Sequence, residues 1–158
     1  MKRNLLVLII FTFSSWIVLT SKVNGPAANG AGDRTGSPIA SGTCTSCHGG
    51  GSFTSTITMN IKDAGSNVVT SYIPGDAYTL EVQVSAGSGS PSGYGMQAVA
   101  LLSDNSQAGD FTAAITANSQ ITALNGKEYV EHLGASSTGF FQYSWTAPSS
   151  GSGDVVFY

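Results

Sequence analysis

The stretch Ala77-Tyr78-Thr79-Leu80-Glu81-Val82-Gln83-Val84 alternates polar and apolar side chains without a break. Successive side chains of an extended chain point to opposite faces, so this period of two describes a strand with Tyr78, Leu80, Val82 and Val84 on a buried face. Outward from it the same logic recurs. Upstream, Pro74-Gly75-Asp76 reads as a turn and Val68 to Ile73 as a short strand. Before that, Ile57, Met59 and Ile61 alternate with Thr56, Thr58 and Asn60 in a half-buried strand that stops at Asp63 to Asn67.

Downstream, a Gly/Ser loop from Ala86 to Gly93 leads into Tyr94 to Leu102, whose near-continuous apolar run predicts a central strand buried on both faces. Ser103 to Asp110 reads as loop. Ile121 to Leu124 and Lys127 to His132 flank Asn125-Gly126, the pair that favours positive φ at both central positions of a hairpin. Phe141, Tyr143 and Trp145 mark a further strand halted by Ala147-Pro148, and Asp154 to Tyr158 begins the last. Roughly eight short strands separated by turn signals predict an all-β, antiparallel, immunoglobulin-like sandwich.

Composition agrees. Only 9% of the 158 residues are charged, and glycine alone supplies 20, a balance that suits strands and turns rather than a helical bundle. Beyond the first 23 residues, Arg34, Lys62 and Lys127 stand against nine carboxylates. So acidic a body is a poor ligand for nucleic acid and is repelled by an anionic membrane surface.

Lys2-Arg3 followed by the apolar run from Leu5 to Phe13 and on to Leu19 has the order of an export signal. Small-residue cleavage positions after it are weak. Residues 1–23 are therefore expected to act as a signal peptide or as an N-terminal membrane anchor, although the run is short against the ~20 residues of a full span. Residues 24–42, rich in Gly, Ala, Pro, Ser and Asn with no apolar period, are expected to form a flexible linker ahead of a domain at 43–158.

Where that linker ends, the sequence reads Cys44-Thr45-Ser46-Cys47-His48, which uses both cysteines of the protein. In an exported protein the pattern C-x-x-C-H is the attachment signature of a c-type haem, with both sulfurs in thioether bonds and the adjacent histidine on the iron. Two intervening residues let the backbone curl so that both thiols reach one porphyrin edge. The other readings fit less well. A redox dithiol expects the motif to open a helix in a βαβ setting, which the Gly- and Ser-rich flanks do not supply. Zinc would need the distant His132 and a strained Cys47-His48 chelate. A disulfide across so short a loop would remove little unfolded-state entropy.

Several patches resemble a reeler domain. They are Tyr72-x-Pro74-Gly75-x-x-Tyr78, Gly93-Tyr94-Gly95-Met96-Gln97-Ala98, His132 after Tyr129-Val130, and Trp145-Thr146-Ala147-Pro148 followed by Gly153-Asp154-Val155-Val156-Phe157. With Arg34-Thr35-Gly36-Ser37-Pro38 and the C-x-x-C-H segment ahead of them, they resemble the bacterial form of that domain. That form is the choice-of-anchor V domain of Bacteroidetes-type proteins. Residues 24–158 carry the likeness. Met96 stands where an aromatic is more usual.

The resemblance implies a haem-bearing reeler-like sandwich and places a histidine at His132. His132 is the first candidate for the distal iron ligand opposite His48. Met96 and Met59 are the thioether alternatives, disfavoured because their period puts them in the core. The expected function is one-electron transfer by one covalent haem c, exported to the periplasm, outer-membrane surface or exterior, with a basic redox protein as partner. The alternative is a secreted binding or adhesion module in which haem, or a Cys44-Cys47 disulfide, is structural. No nucleophile triad, paired-carboxylate, phosphate-loop or H-E-x-x-H pattern points to other catalysis.

Overall fold

A computed structural model describes residues 24–48 and 53–158. The leader, and the glycines directly after His48, lie outside the described residues. Among the described residues nine strands form, in chain order β1 Thr54–Lys62, β2 Ala77–Ser88, β3 Gln97–Ala98, β4 Ala100–Leu101, β5 Asp110–Ala114, β6 Ser119–Leu124, β7 Lys127–His132, β8 Phe140–Thr146 and β9 Val156–Phe157. One sheet runs β1-β2-β8-β5. The other is β3-β7-β6, with β4 continuing from β3 and pairing with β9. All ladders are antiparallel.

The alternation in β2 does what its sequence dictates. Tyr78, Leu80, Val82 and Val84 are buried between the sheets with Phe141, Tyr143 and Trp145 of β8, Phe111 of β5 and Val130 of β7. Trp145 is the hub, with Tyr72 and Phe157 edge-on to its ring at centroid distances of 6.2 and 5.0 Å. Its indole N–H donates to the Ala108 carbonyl, so the polar handle of this large side chain is satisfied inside the core. The Asn125-Gly126 hairpin forms as expected, with φ of 53° and 74° at the two turn residues.

Four expectations change. Val68 to Ile73 is not a strand: after the Lys62–Val68 bridge and the Val69 N–H bond to Ile61, the chain leaves β1 and crosses the end of the sandwich, packing Val69 and Tyr72 on the core. Tyr94 to Leu102 is buried from Met96 through Leu101, as predicted, but in two short strands, because it passes from β7 to β9 around Val99. β5 had no visible period, since only Phe111 of its five residues is buried and its register slips between Phe111 and Ala113. Finally, residues 24–42 are no free linker. They lie on the second sheet, held by polar side chains that no periodicity reveals. Among the described residues no helix is long and apolar enough to cross a membrane.

Candidate functional site

The segment from Asn24 to Thr43 is a strap over the outer face of β3 and β7. Its anchor is Glu131, fully buried at 0% exposure. The Glu131 carboxylate accepts the Ala27 and Ala28 backbone N–H groups at 2.9 Å each, Thr122 Oγ1 at 2.7 Å, and the Gln97 and Gln120 amides at 3.2 Å. Burying a charge is tolerable only with such a set of donors. Gly25 is required where the strap meets this group, since a Cβ there would fall 2.2 Å from the Glu131 carboxyl carbon.

A second buried carboxylate secures the middle of the strap. Asp33 accepts the Thr35 N–H and hydroxyl, the Ser37 hydroxyl at 3.1 Å and the Tyr129 phenol at 2.9 Å. Burial, then the Asp33 bond and charge, push the Tyr129 phenol well above its usual range. Next to it the Arg34 N–H donates to Gln97 Oε1 at 2.7 Å. The strap then doubles back through a Thr35–Thr43 bridge, with the Arg34 guanidinium donating to the Ser41 carbonyl.

This hairpin delivers Cys44, Cys47 and His48 on one turn. Cys44–Ser46 form a single turn of 3-10 helix, and the Cys44 carbonyl accepts the N–H groups of both Cys47 and His48, at 3.2 and 3.1 Å. Both thiols are free and exposed, and His48 is exposed beside them. That is unusual for cysteine, which packs as a small hydrophobe when its role is structural. Although Cys44 reaches solvent, the protein packed around its sulfur raises its pKa; its own backbone N–H pulls the other way, the neighbouring Cys47 adds to the rise, and Arg34 opposes it.

The remaining residues read from sequence lie elsewhere. His132 ends β7, its ring flat on Gly95, where a Cβ would sit 2.8 Å from two imidazole atoms. His132 Nδ1 is 3.0 Å from the Met96 carbonyl and 3.2 Å from the Met96 N–H. If Nδ1 donates to that carbonyl, the Nε2 lone pair is left for another partner; if Nδ1 accepts, Nε2 carries the proton. Met96 is buried, with the Tyr143 hydroxyl 3.4 Å from its sulfur, and Met59 is half-buried on the core opposite Val82. Among the described residues no three His, Cys, Asp or Glu side chains gather as a metal site. The structure thus brings Cys44, Cys47 and His48 onto one turn and leaves His132, Met96 and Met59 in the sandwich.

Glu131, Asp33 and Gln97 were not legible as site residues. Nothing in Tyr129-Val130-Glu131 signals that the acid is the best-buried carboxylate among the described residues. At the far end of the sandwich, Ile61, Val69, Tyr72, Trp145, Val155 and Phe157 line an open groove of about 630 Å³. Tyr72 closes one side by donating its hydroxyl to the Gly153 carbonyl at 2.7 Å.

Two packed antiparallel sheets with a strap-borne Cys-x-x-Cys-His turn define an immunoglobulin-like sandwich carrying an external turn with two free thiols. Compared with known families, residues 42–158 match the Reeler domain, and the protein belongs to that family. Solved structures similar to it include two fragments of the human F-spondin reeler domain. Fragment 2 is 21% identical over 64% of this chain and 73% of its own, with a TM-score of 0.47. Fragment 1 is 23% identical over 65% and 71%, with a TM-score of 0.47. The Reelin-N domain of F-spondin is 22% identical over 64% and 67%, with a TM-score of 0.48. No curated protein matches the sequence.

Proposed function

We propose that the protein is an exported binding module of the Reeler type whose attachment point for a covalent group is the Cys44–His48 turn. One observation carries this reading: two free thiols and an imidazole stand exposed on a single turn, fixed by a strap with two buried carboxylates, and none of the three contributes to the core. The residues fit a c-type haem, since both sulfurs are uncommitted and His48 follows directly. Bound there, the haem would supply one-electron chemistry. In this reading Cys44 and Cys47 would hold the group and His48 would ligate it, and the strap fixes all three residues to the sandwich.

Export is supported by the order of the leader and by the family. The module's contact with another macromolecule is tested with labelled, purified protein on cells of its own source. Saturable binding that weakens with Tyr72→Ala supports a contact surface at the groove end. An absence of saturable binding would sink the adhesion part of the reading.

Electron transfer is the second reading, favoured by the exposure of the turn. A group held at the surface lies within reach of a partner without any opening of the fold. The acidic body suits a basic redox protein. Loaded protein should then exchange electrons with a small basic cytochrome faster at low salt than at high salt. Rates independent of salt would argue against an electrostatic partner.

A further inference from the structure

The β1–β2 pair projects past the rest of its sheet. Pairing of β2 with β8 ends at Gln83–Phe140 and one further bond from Val84 to Gly139, whereas β1 and β2 stay paired out to Thr54–Ser88. Residues directly opposite in an antiparallel pair share a face. Ile57 lies opposite Val84, and Val84 is a core residue at 6% exposure, so Ile57 also points to the inner face. Yet Ile57 is 63% exposed. No strand of the second sheet packs closely on β1, and on this side that sheet offers only β3, because β9 pairs with β4 alone. Phe53, 53% exposed, continues the same end of the ribbon, its ring laid across Gly89.

An inner sheet face that leaves Ile57 open to water, with Phe53 exposed just beyond the register shift at Thr54/Ser55, is incomplete by the energetics that shape the rest of the core. The sequence limits how far the Cys44–His48 turn lies from it. Phe53 is five residues after His48, a distance the backbone spans in at most about 18 Å. The strap holds Cys44 beside the outer face of β3, the edge strand of its sheet, through Arg34 and Gln97.

We propose that the inner face of the projecting ribbon, presented by Ile57 and Phe53, is the wall against which the haem carried by Cys44 and Cys47 packs. This rests on the haem reading of the turn. The face carries Ile57 and Ala86 with Ser55 between Ile57 and the ribbon's end, and is more apolar than the Thr54, Thr56 and Thr58 side. Covering it would remove Ile57 from water.

The test uses the full-length protein made in a host that matures c-type cytochromes, with loading checked by intact mass and a pyridine haemochrome spectrum. Ile57→Asn, Phe53→Ser and the milder Ile57→Ala are compared with Val68→Asn, an equally open apolar position (58% exposed) in the segment after β1. The expected result is normal loading in all four. In the first three the reduction potential moves negative, since exposure to water favours the ferric charge, and the Soret circular dichroism weakens; Val68→Asn does neither. Loaded variants indistinguishable from Val68→Asn would overturn the wall and leave the haem reading standing. A wild-type protein without haem would overturn both. A wild-type dimer that Ile57→Asn dissociates would assign the face to a second copy instead.

Discussion

The space between the sheets and the strap that ends at Cys44–His48 are built by different physics. The interior is apolar and periodic: β2 and β8 alternate strictly, their inward residues meet on Trp145, and each is excluded from water by the next. The strap carries almost no apolar payload. It is held by polar bonds from Glu131, Asp33 and Gln97, which cost desolvation and are repaid only when every donor is in place. The first region can lose a neighbour and repack; the second fails all at once. The fold belongs to the first region, and the Cys44–His48 turn is carried by the second.

The largest effect that would expose this difference is in the interior. Trp145→Ala should cost about 3–5 kcal/mol, the range for truncating a buried large aromatic, and lower the whole unfolding transition as seen by circular dichroism. Glu131→Ala should follow, at about 2–4 kcal/mol, because it leaves two strap N–H groups and three side-chain donors without their acceptor. Its signature is local: limited proteolysis should cut within residues 24–43 before the sandwich unfolds. Simultaneous loss of strap and sandwich would show that the two regions are one cooperative unit.

Tyr129→Phe is a finer probe. At neutral pH it removes one bond to Asp33, about 1 kcal/mol. Its pH dependence is more telling. A phenol whose pKa is raised by folding stabilises the protein fully below its ordinary value near 10, and that contribution is lost as pH rises toward the folded value. Tyr143, raised mainly by burial and further by the Glu131 charge against a bond to Ser119, adds in the same sense. Alkaline melts should therefore show stability falling above about pH 10, less steeply in Tyr129→Phe. Equal slopes would mean that the Asp33–Tyr129 pair is not what couples the strap to alkali.

How much of this was readable follows the same division. Alternation announced β1, β2 and β8, because one-sided burial writes itself into every second residue, and the Asn125-Gly126 pair announced the β6–β7 hairpin. β5 stayed hidden because Phe111 alone is buried, and the strap because its anchors are single polar residues 63 to 104 positions away in sequence. Arg34 with Gln97 and Asp33 with Tyr129 leave no periodic trace, so a segment rich in Gly, Ala and Pro reads as free linker. The Cys44–His48 turn was legible for another reason: its chemistry depends on local spacing, which the sequence displays directly.

The smallest expected effect carries the central claim, that the turn serves attachment and not stability. Replacing Cys44 and Cys47 by Ala in the protein without haem should change stability by under about 0.5 kcal/mol, as for exposed positions outside any network. The most direct measurement is the intact mass of the exported protein from a host that matures c-type cytochromes, beside that double variant. A gain of one haem is expected in the wild type and none in the variant. An unmodified wild-type mass would contradict it and leave the groove around Tyr72 and Phe157 as the better place to look for function.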